Sequence, residues 1–206
     1  MLKKSAEQMA FFFVKKGIID EKVTDVYIYG SELLISEMIC TLLVIGIGIC
    51  TGKFIETLLY LASYMPIRIY AGGYHATSHR NCTVIFNLCY VVIFFIVDKI
   101  LSLKLDYIIY ILSIGSGLII AILAPIEDLR KPLDEREKGV YGEKAKKRVL
   151  LLLLFAIIMI WLIPQWKEKI CYGMSAVCEI AILLLIGYIK NRVLLNCKKD
   201  YITLKE

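Results

Sequence analysis

The chain has 206 residues, of which 59% are hydrophobic, and 25 lysines and arginines outnumber 19 acidic residues to give a formal net charge of +6. A mean hydropathy of +0.69 is too high for an ordinary soluble globular domain, which could not bury so much apolar surface. The positive charge is what basic inner loops give a membrane protein, and we expect no binding to nucleic acid.

Residues 1–30 form the first predicted element, which is charged but periodic. Ala6, Met9 and Phe13 fall on one helical stripe, and most of the lysines fall elsewhere. This pattern is typical of an amphipathic helix that lies in a membrane interface. We predict that the pattern breaks at Gly30 and Ser31 and that Ser31 caps the first membrane span.

Six long apolar blocks follow, and each approaches the roughly 20 helical residues that cross a bilayer. The blocks are 33–50, 54–70, 83–97, 107–126, 149–166 and 170–189. Because lipid offers no partner to backbone N–H and C=O groups, such segments should be α-helices. We therefore predict an all-α fold, a polytopic transmembrane helix bundle of about six spans preceded by the N-terminal amphipathic helix.

These elements nearly fill the chain, so we predict a single membrane domain over residues 1–206. Its parts are the interfacial helix (1–30), spans one to four (31–127) with an active loop at 68–82, a basic cytoplasmic loop (128–148), spans five and six (149–190) and a cytoplasmic tail (191–206). If the N-terminus is inside, 20 of the 25 lysines and arginines fall on the inner side. This bias predicts that both termini and the active loop are cytoplasmic.

The segment from Arg68 to Cys82 differs from its surroundings, because it is polar, contains glycines and lies between two apolar blocks. The thiolate is the nucleophilic form of cysteine, so a catalytic cysteine needs a base or a positive charge nearby. His75 and His79 both precede Cys82 by seven residues or fewer. The segment therefore has the composition of a cysteine–histidine dyad.

Spacing does not decide which histidine is the base. In one straight helix His75 and Cys82 would stand about 10.5 Å apart along the axis, so the loop must bend for His75 to reach the sulfur. Gly72 and Gly73 permit the backbone conformations of such a bend. His79 lies one helical turn before Cys82 and is the competing base.

Other interpretations of the loop stay open at this point. His75, His79 and Cys82 have the spacing H-x3-H-x2-C, which could supply three metal ligands, although no second cluster accompanies them. The loop could also be a polar turn without chemistry. A peptide transporter without proteolytic activity is a further alternative, because carboxylates inside membrane helices often mark pathways. The carboxylates in question are Glu37, Glu56 and Glu179.

The polar connection after residue 126 ends in a run of positive charge that consists of Lys144, Lys146, Lys147 and Arg148. Such a run is typical of a positive-inside anchor that contacts anionic lipid. It would also suit a docking surface for an acidic segment of a substrate. The two roles are compatible.

Arg68, the pair Gly72-Gly73, His75 and Cys82 resemble the signature of the AgrB family, the membrane endopeptidases of accessory gene regulator quorum sensing. The stretch APIEDLRKPL at 124–133 is similar to that family as well, as are the chain length, the number of spans and the N-terminal amphipathic segment. The resemblance covers essentially the whole chain.

The resemblance implies a cysteine endopeptidase that removes the C-terminal part of a small precursor peptide, AgrD, and helps to close the remainder into a cyclic thiolactone or lactone signal. It makes Cys82 the nucleophile and His75 the base, with Arg68, Gly72 and Gly73 supporting the site. It also implies a homodimer in the membrane lipid. We expect no cofactor and no metal.

Two roles around this site are left open. Arg68 is either a structural anchor at the membrane interface or a contact for substrate. No acid that orients His75 is evident, and Asn81, Glu127 or Asp128 would serve only if the fold brings it close.

Overall fold

The computed structural model describes residues 2–74, 79–127 and 133–203, with side chains described within 4–74, 81–127 and 133–194. Over these residues the chain is helical apart from short connections, and extended backbone pairs only in one isolated bridge between Gly72 and Ile126. The helices are α1 (Leu2–Lys15), α2 (Thr24–Cys50), α3 (Phe54–Ala71), α4 (His79–Ser102), α5 (Asp106–Leu123), α6 (Glu135–Leu162) and α7 (Lys167–Thr203). Short 3-10 helices, Glu21–Val23 and Pro164–Trp166, lead into α2 and α7. The predicted all-α fold is confirmed.

Within the described residues, four helical segments are long and apolar enough to cross a membrane, namely 21–50, 81–102, 106–123 and 164–194. The predicted count of about six spans is therefore not confirmed. The apolar blocks at 54–70 and 149–166 are largely helical, but polar residues interrupt the first, and the helix of the second already ends at Leu162. Glu56 and Arg68 lie within the 18 residues of α3, and the apolar part of α6 begins only at Val149, after four polar turns.

The amphipathic N-terminal helix is α1, and it packs against α2. Ala6 and Ala10 are fully buried in this contact, as small residues that let two helices approach closely. Phe11 and Phe12 are exposed. Ala6, a member of the predicted stripe, therefore packs against protein. A second apolar surface of α1, which includes Phe11 and Phe12, is exposed.

The expected helix break and cap at Gly30 and Ser31 are wrong. α2 begins at Thr24 and continues through both residues, and Ser31 is buried. One glycine lowers helix propensity by about 1 kcal/mol, which is too little to end a long apolar helix that packs along its length.

The basic segment 128–148, which we expected to be a loop, is helical from Glu135 onward. The backbone N–H of Glu137 donates to the Asp134 carboxylate at 2.6 Å, and the N–H of Asp134 donates to the Glu137 carboxylate at 3.2 Å. This reciprocal capping box satisfies N–H groups that a helix start leaves unpaired. It places the basic run on a helix surface.

α7 is the central helix of the bundle. In its most apolar 18-residue window 72% of the residues are buried, against 17–22% in the other candidate spans. α3 packs along α7, and an aromatic cluster of Tyr60, Tyr64, Tyr90 and Phe94 joins α3 to α4. This cluster is the core on which the candidate site rests.

The helices alternate in direction, so their connections collect at two ends of the bundle. We call the end with the short connections 51–53, 103–105 and 163–166 the turn end. The loop end holds the connections that follow α3 and α5, together with Arg68, Gly72, Gly73 and Cys82. The candidate site therefore belongs to the loop end.

Candidate active site

Arg68 lies in the last turn of α3 and binds the loop that follows it. Its guanidinium donates hydrogen bonds to the carbonyl oxygens of Gly72 and Tyr74, the second at 2.8 Å. A guanidinium suits this task because its donors diverge from one rigid plane. Arg68 is thus a structural anchor, and what it anchors is the loop itself.

Gly72 and Gly73 adopt backbone conformations that side-chain-bearing residues rarely adopt. Gly72 has φ +66° and ψ −139°, and Gly73 has φ +115°. Close packing excludes a side chain as well. A Cβ on Gly72 would overlap the carbonyl oxygen of Ile126, and a Cβ on Gly73 would lie 2.5 Å from Nη1 of Arg68. The bend that we expected here is therefore one that only glycine fits.

Three backbone hydrogen bonds attach the loop to its neighbours. The N–H of Gly73 donates to the carbonyl oxygen of Ile126 at 3.0 Å. The N–H of Ile126 donates to the carbonyl oxygen of Ala71, also at 3.0 Å. The N–H of Tyr74 donates to the carbonyl of Leu183 in α7 at 2.9 Å. The loop is thus held between the segment after α5 and the central helix, with its buried polar groups paired.

Cys82 lies in the first turn of α4 on the face that packs into the bundle. Phe86, Tyr90 and Phe94 follow it at four-residue intervals, and each ring contacts an aromatic ring of α3. Leu88, on another side of the helix, is exposed. Since residues four apart share one helix face, Cys82 faces protein rather than lipid, and it is partly buried.

Polar groups of α2 and α3 approach Cys82 across the bundle. Cys40 and Tyr64 both lie close enough to Cys82 for electrostatic interaction. The Asn87 side chain donates to the sulfur of Cys40 at 3.4 Å and to the carbonyl of Thr83 at 2.8 Å. Cys82, Cys40 and Tyr64 therefore share one region of the bundle, and Phe86 of α4 contacts Tyr64 there.

The described residues do not decide which of the two histidines is the base. His75 lies outside the described residues, and so does the side chain of His79, whose backbone begins α4 one turn before Cys82. The loop is positioned up to Tyr74, the residue before His75. The assignment of His75 as base stays a prediction. Among the described side chains, no three histidine, cysteine, aspartate or glutamate residues could together hold a metal ion.

Glu127, one of the groups considered for orienting His75, is engaged elsewhere. Its carboxylate accepts the N–H of Leu133 at 2.7 Å and pairs with Lys138 at 3.3 Å. Asn191 of α7 donates to its carbonyl oxygen at 2.9 Å. Glu127 therefore ties the segment after α5 to α6 and α7. Hydrogen bonds to Glu135 and Glu127 raise the pKa of Lys138 above its usual value.

Asn81 is exposed and has an interaction partner, and Asp128 lies outside the described residues. Neither observation assigns a group that orients His75.

The basic run on α6 divides into two parts. Arg148 is partly buried, donates to the carbonyl of Pro66 at 2.8 Å and lies 4.3 Å from the ring centre of Tyr70. It therefore joins α6 to α3. The side chains of Lys144, Lys146 and Lys147 are exposed. These lysines are the part of the run that a soluble or lipid partner can reach.

The three carboxylates that favoured a transporter occupy different environments. Glu179 is buried in α7 and accepts a hydrogen bond from the Tyr60 hydroxyl of α3, whereas Glu37 is exposed and Glu56 is partly exposed. The bond from Tyr60 pairs one carboxylate oxygen of Glu179 with α3, whereas the other oxygen, Oε1, is buried without a hydrogen-bond partner among the described residues. The described residues do not join the three into one pathway.

Sequence reasoning missed the contribution of α7 to the loop. Leu183, Gly187 and Asn191 contact the loop or the segment after α5, yet they lie far from it in the chain. The one available signal was Gly187, a glycine inside an otherwise apolar helix, where a close backbone approach is a common reason for glycine.

Comparison with known proteins identifies relatives over most of the chain. The family model described as AgrB, accessory gene regulator B, matches residues 6–189. The accessory gene regulator protein B of Staphylococcus epidermidis is 31% identical over 168 residues, which cover 80% of this chain and 81% of the relative.

Two further relatives match a smaller share of the chain. An AgrB-like protein of Listeria monocytogenes is 30% identical over 150 residues, 70% of each chain. One of Clostridium perfringens is 26% identical over 145 residues, 68% of each chain. No solved structure matches the chain.

Proposed function

The chain belongs to the AgrB family, which implies a role in the agr quorum-sensing system, and we propose that it is a membrane cysteine endopeptidase that processes an AgrD-type precursor peptide. The observation that carries this proposal is the position of Cys82. It is partly buried on the bundle-facing side of α4, beside a loop whose shape depends on two glycines and Arg68. A reactive cysteine needs such a built environment, whereas a structural cysteine does not.

In the proposed first step His75 accepts the proton of the Cys82 thiol, and the thiolate attacks the carbonyl carbon of the scissile peptide bond. The C–N bond then breaks. His75 returns the proton to the leaving amine, and the C-terminal part of the precursor departs. The remaining peptide is bound to Cys82 as a thioester.

In the second step a cysteine thiol or serine hydroxyl within the bound peptide attacks the thioester carbonyl. The C–S bond to Cys82 breaks, the sulfur takes up the proton, and a macrocyclic thiolactone or lactone is released. A thioester is less stable than an amide, so the first step is uphill and removal of the released tail must draw it forward. The contact of Phe86, four residues after Cys82 on the same helix, with Tyr64 supports this scheme, because aromatic rings near the thioester would limit the water that hydrolyses it.

The exposed lysines of α6 are proposed to attract an acidic tail of the precursor or anionic lipid. Lys144, Lys146 and Lys147 project near the loop end, where their charge raises the local concentration of an anionic partner. We place this end and both chain termini on the cytoplasmic side, as the distribution of basic residues indicates. The homodimer stays a prediction.

The test is to incubate the purified protein in lipid vesicles with the precursor peptide and to follow both by mass spectrometry. The wild type should release the C-terminal fragment and form an adduct on Cys82. Cys82→Ala and His75→Ala should abolish release, while His79→Ala should retain it. Cys89→Ala, about two helical turns further along α4, is the matched control for loss of a thiol.

The alternative function, peptide transport without chemistry, gives a different result in the same assay. A transporter would leave the peptide intact in every variant and would accumulate it across the vesicle membrane. Release that persists in Cys82→Ala would contradict the cysteine mechanism itself.

A further inference from the structure

A stripe on the central helix α7 contacts α3, the loop that follows α3 and the segment after α5. Its members, spaced four residues apart, are Glu179, Leu183, Gly187 and Asn191. Glu179 binds Tyr60 of α3, Leu183 accepts the N–H of Tyr74, and Asn191 binds the carbonyl of Glu127. One helix thereby aligns α3 and its loop with a segment that lies about 50 residues further along the chain.

Gly187 is the member of the stripe that touches the loop most closely. A Cβ at this position would lie 2.7 Å from the backbone nitrogen of Tyr74 and 2.8 Å from the carbonyl carbon of Gly73. Both atoms are backbone, so no flexible side chain can move aside. Gly187 is buried and lies inside a helix, where alanine would otherwise be preferred.

The contact is held from both sides. The Tyr74 N–H bond to Leu183, one turn before Gly187, draws the loop onto α7, and the Tyr74 ring lies 5.0 Å from the ammonium of Lys190, three residues after Gly187. A larger residue at 187 cannot be accommodated without lengthening that hydrogen bond. The loop can therefore occupy this position only because Gly187 of α7 has no side chain.

We propose that Gly187 is a positioning residue, with α7 serving as the surface against which the loop that leads to His75 is docked. This inference rests on the proposed function, because it assigns Gly187 a role in aligning the base with Cys82. Tyr74 is the last described residue before His75, so a shift of its backbone by several tenths of an ångström changes the point from which the chain continues toward the proposed base. Misplacement of a catalytic group by about 1 Å can lower a rate by about 100-fold.

Gly187→Ala tests the proposal. We expect kcat for precursor cleavage to fall about 10- to 100-fold with KM within about threefold, since the change displaces the base rather than the peptide. The thermal midpoint should stay near that of the wild type, because the helix gains propensity while the contact loses fit. Gly115→Ala, in α5 with open space around the glycine, is the matched control and should be neutral.

Hydrogen exchange gives a readout that does not depend on activity. The amide of Tyr74 should exchange faster in Gly187→Ala than in the wild type or Gly115→Ala. Asn191→Ala, which adds no atom and removes the bond to Glu127, should lower kcat about threefold in a folded protein. This second variant keeps the test valid if Gly187→Ala does not fold.

The outcomes separate the two proposals. If the wild type does not cleave the precursor, the proposed function fails, and the exchange experiment still decides whether α7 docks the loop. If the wild type cleaves, and Gly187→Ala shows unchanged kcat and unchanged Tyr74 exchange, the positioning role is wrong.

Discussion

The two ends of the bundle are closed by different kinds of interaction. At the turn end, charged and polar side chains join the helices: Asp98 of α4 contacts both Lys53 and Tyr172, and Lys167 pairs with Asp106 at 2.6 Å. At the loop end the bound groups are backbone groups, which pair with other backbone groups or with the side chains of Arg68 and Asn191, and the glycines there leave no space for a side chain. Side chains can rotate to absorb a substitution, whereas docked backbone cannot, so the loop end should be far less tolerant of change.

The largest contrast is expected between two glycines with similar φ. Gly72→Ala should lower cleavage about 100-fold or more, because φ +66° with ψ −139° is almost confined to glycine and because the new Cβ overlaps Ile126. Gly52→Ala at the turn end has φ +70° but open space, so it should cost about 1–2 kcal/mol of stability and leave the rate unchanged. Initial rates and thermal midpoints of both variants check this. Equal loss of rate would remove the distinction between the ends.

Arg68 should come next in effect. Arg68→Lys keeps the charge but loses the planar guanidinium that binds two carbonyl oxygens. We expect kcat to fall about tenfold in Arg68→Lys and further in Arg68→Met. Arg192→Lys, an exposed arginine of α7, is the control and should be near wild type. Kinetics in lipid vesicles measure this. If the main effect were on KM, Arg68 would be a substrate contact rather than an anchor of the loop.

A third experiment compares surface charge at the two ends. Lys146→Glu with Lys147→Glu should raise KM for an acidic precursor about three- to tenfold, and the effect should weaken in high salt because exposed charges are screened. Lys169→Glu at the turn end should not raise KM. Titration of the rate against peptide at two salt concentrations provides the test. If Lys169→Glu raised KM as much as Lys146→Glu with Lys147→Glu, the proposed docking role of the α6 lysines would be contradicted.

The ion pair between Lys53 and Asp98 at the turn end should contribute little to stability or activity. Asp98→Asn weakens the contact with Lys53, whose side chain is 28% exposed while that of Asp98 is 40% exposed. For groups this exposed the loss should be about 1 kcal/mol or less, visible as a small drop in thermal midpoint with activity within about twofold. A tenfold loss of activity would show that the turn end also controls the site.

The smallest effect concerns Lys138, which pairs with Glu127 and Glu135. Because these partners raise the pKa of Lys138 in the folded protein, its contribution to stability is fully present below the unfolded value, about 10.4, and is lost as the pH rises through the folded pKa. The difference in thermal midpoint between wild type and Lys138→Met should be small and constant from pH 6 to 9. It should disappear at higher pH. A difference that varied between pH 6 and 9 would require another titrating group.

Hydrophobicity in the sequence predicted the helical fold, but it did not define the spans well. The blocks that became α2, α4, α5 and α7 are recognisable without coordinates, since each is apolar over about 18 residues. α3 and the apolar part of α6 are not among the four segments that are long and apolar enough to cross a membrane, so their prediction as spans is not confirmed. The start of α6 was readable from Asp134 and Glu137, which have the spacing of a capping box.

The candidate site was predictable only in part. A glycine pair beside a polar, cysteine-bearing segment indicated a bend, and the observed φ angles of Gly72 and Gly73 agree with that expectation. The sequence did not indicate that Arg68 would close the loop, that Glu127 would bind Lys138, or that Arg148 would be partly buried against Tyr70. Each of these depends on which helices become neighbours.

By itself the sequence determined which segments are helical, and it indicated residues 68–82 as the candidate active segment. The reason is local: helix formation depends on hydropathy and on hydrogen bonds between residues four apart. Only the tertiary structure decided where that segment lies, because its position depends on Leu183, Gly187 and Asn191 of the last helix. Contacts between residues so distant in the chain are made by packing, and no local pattern encodes them.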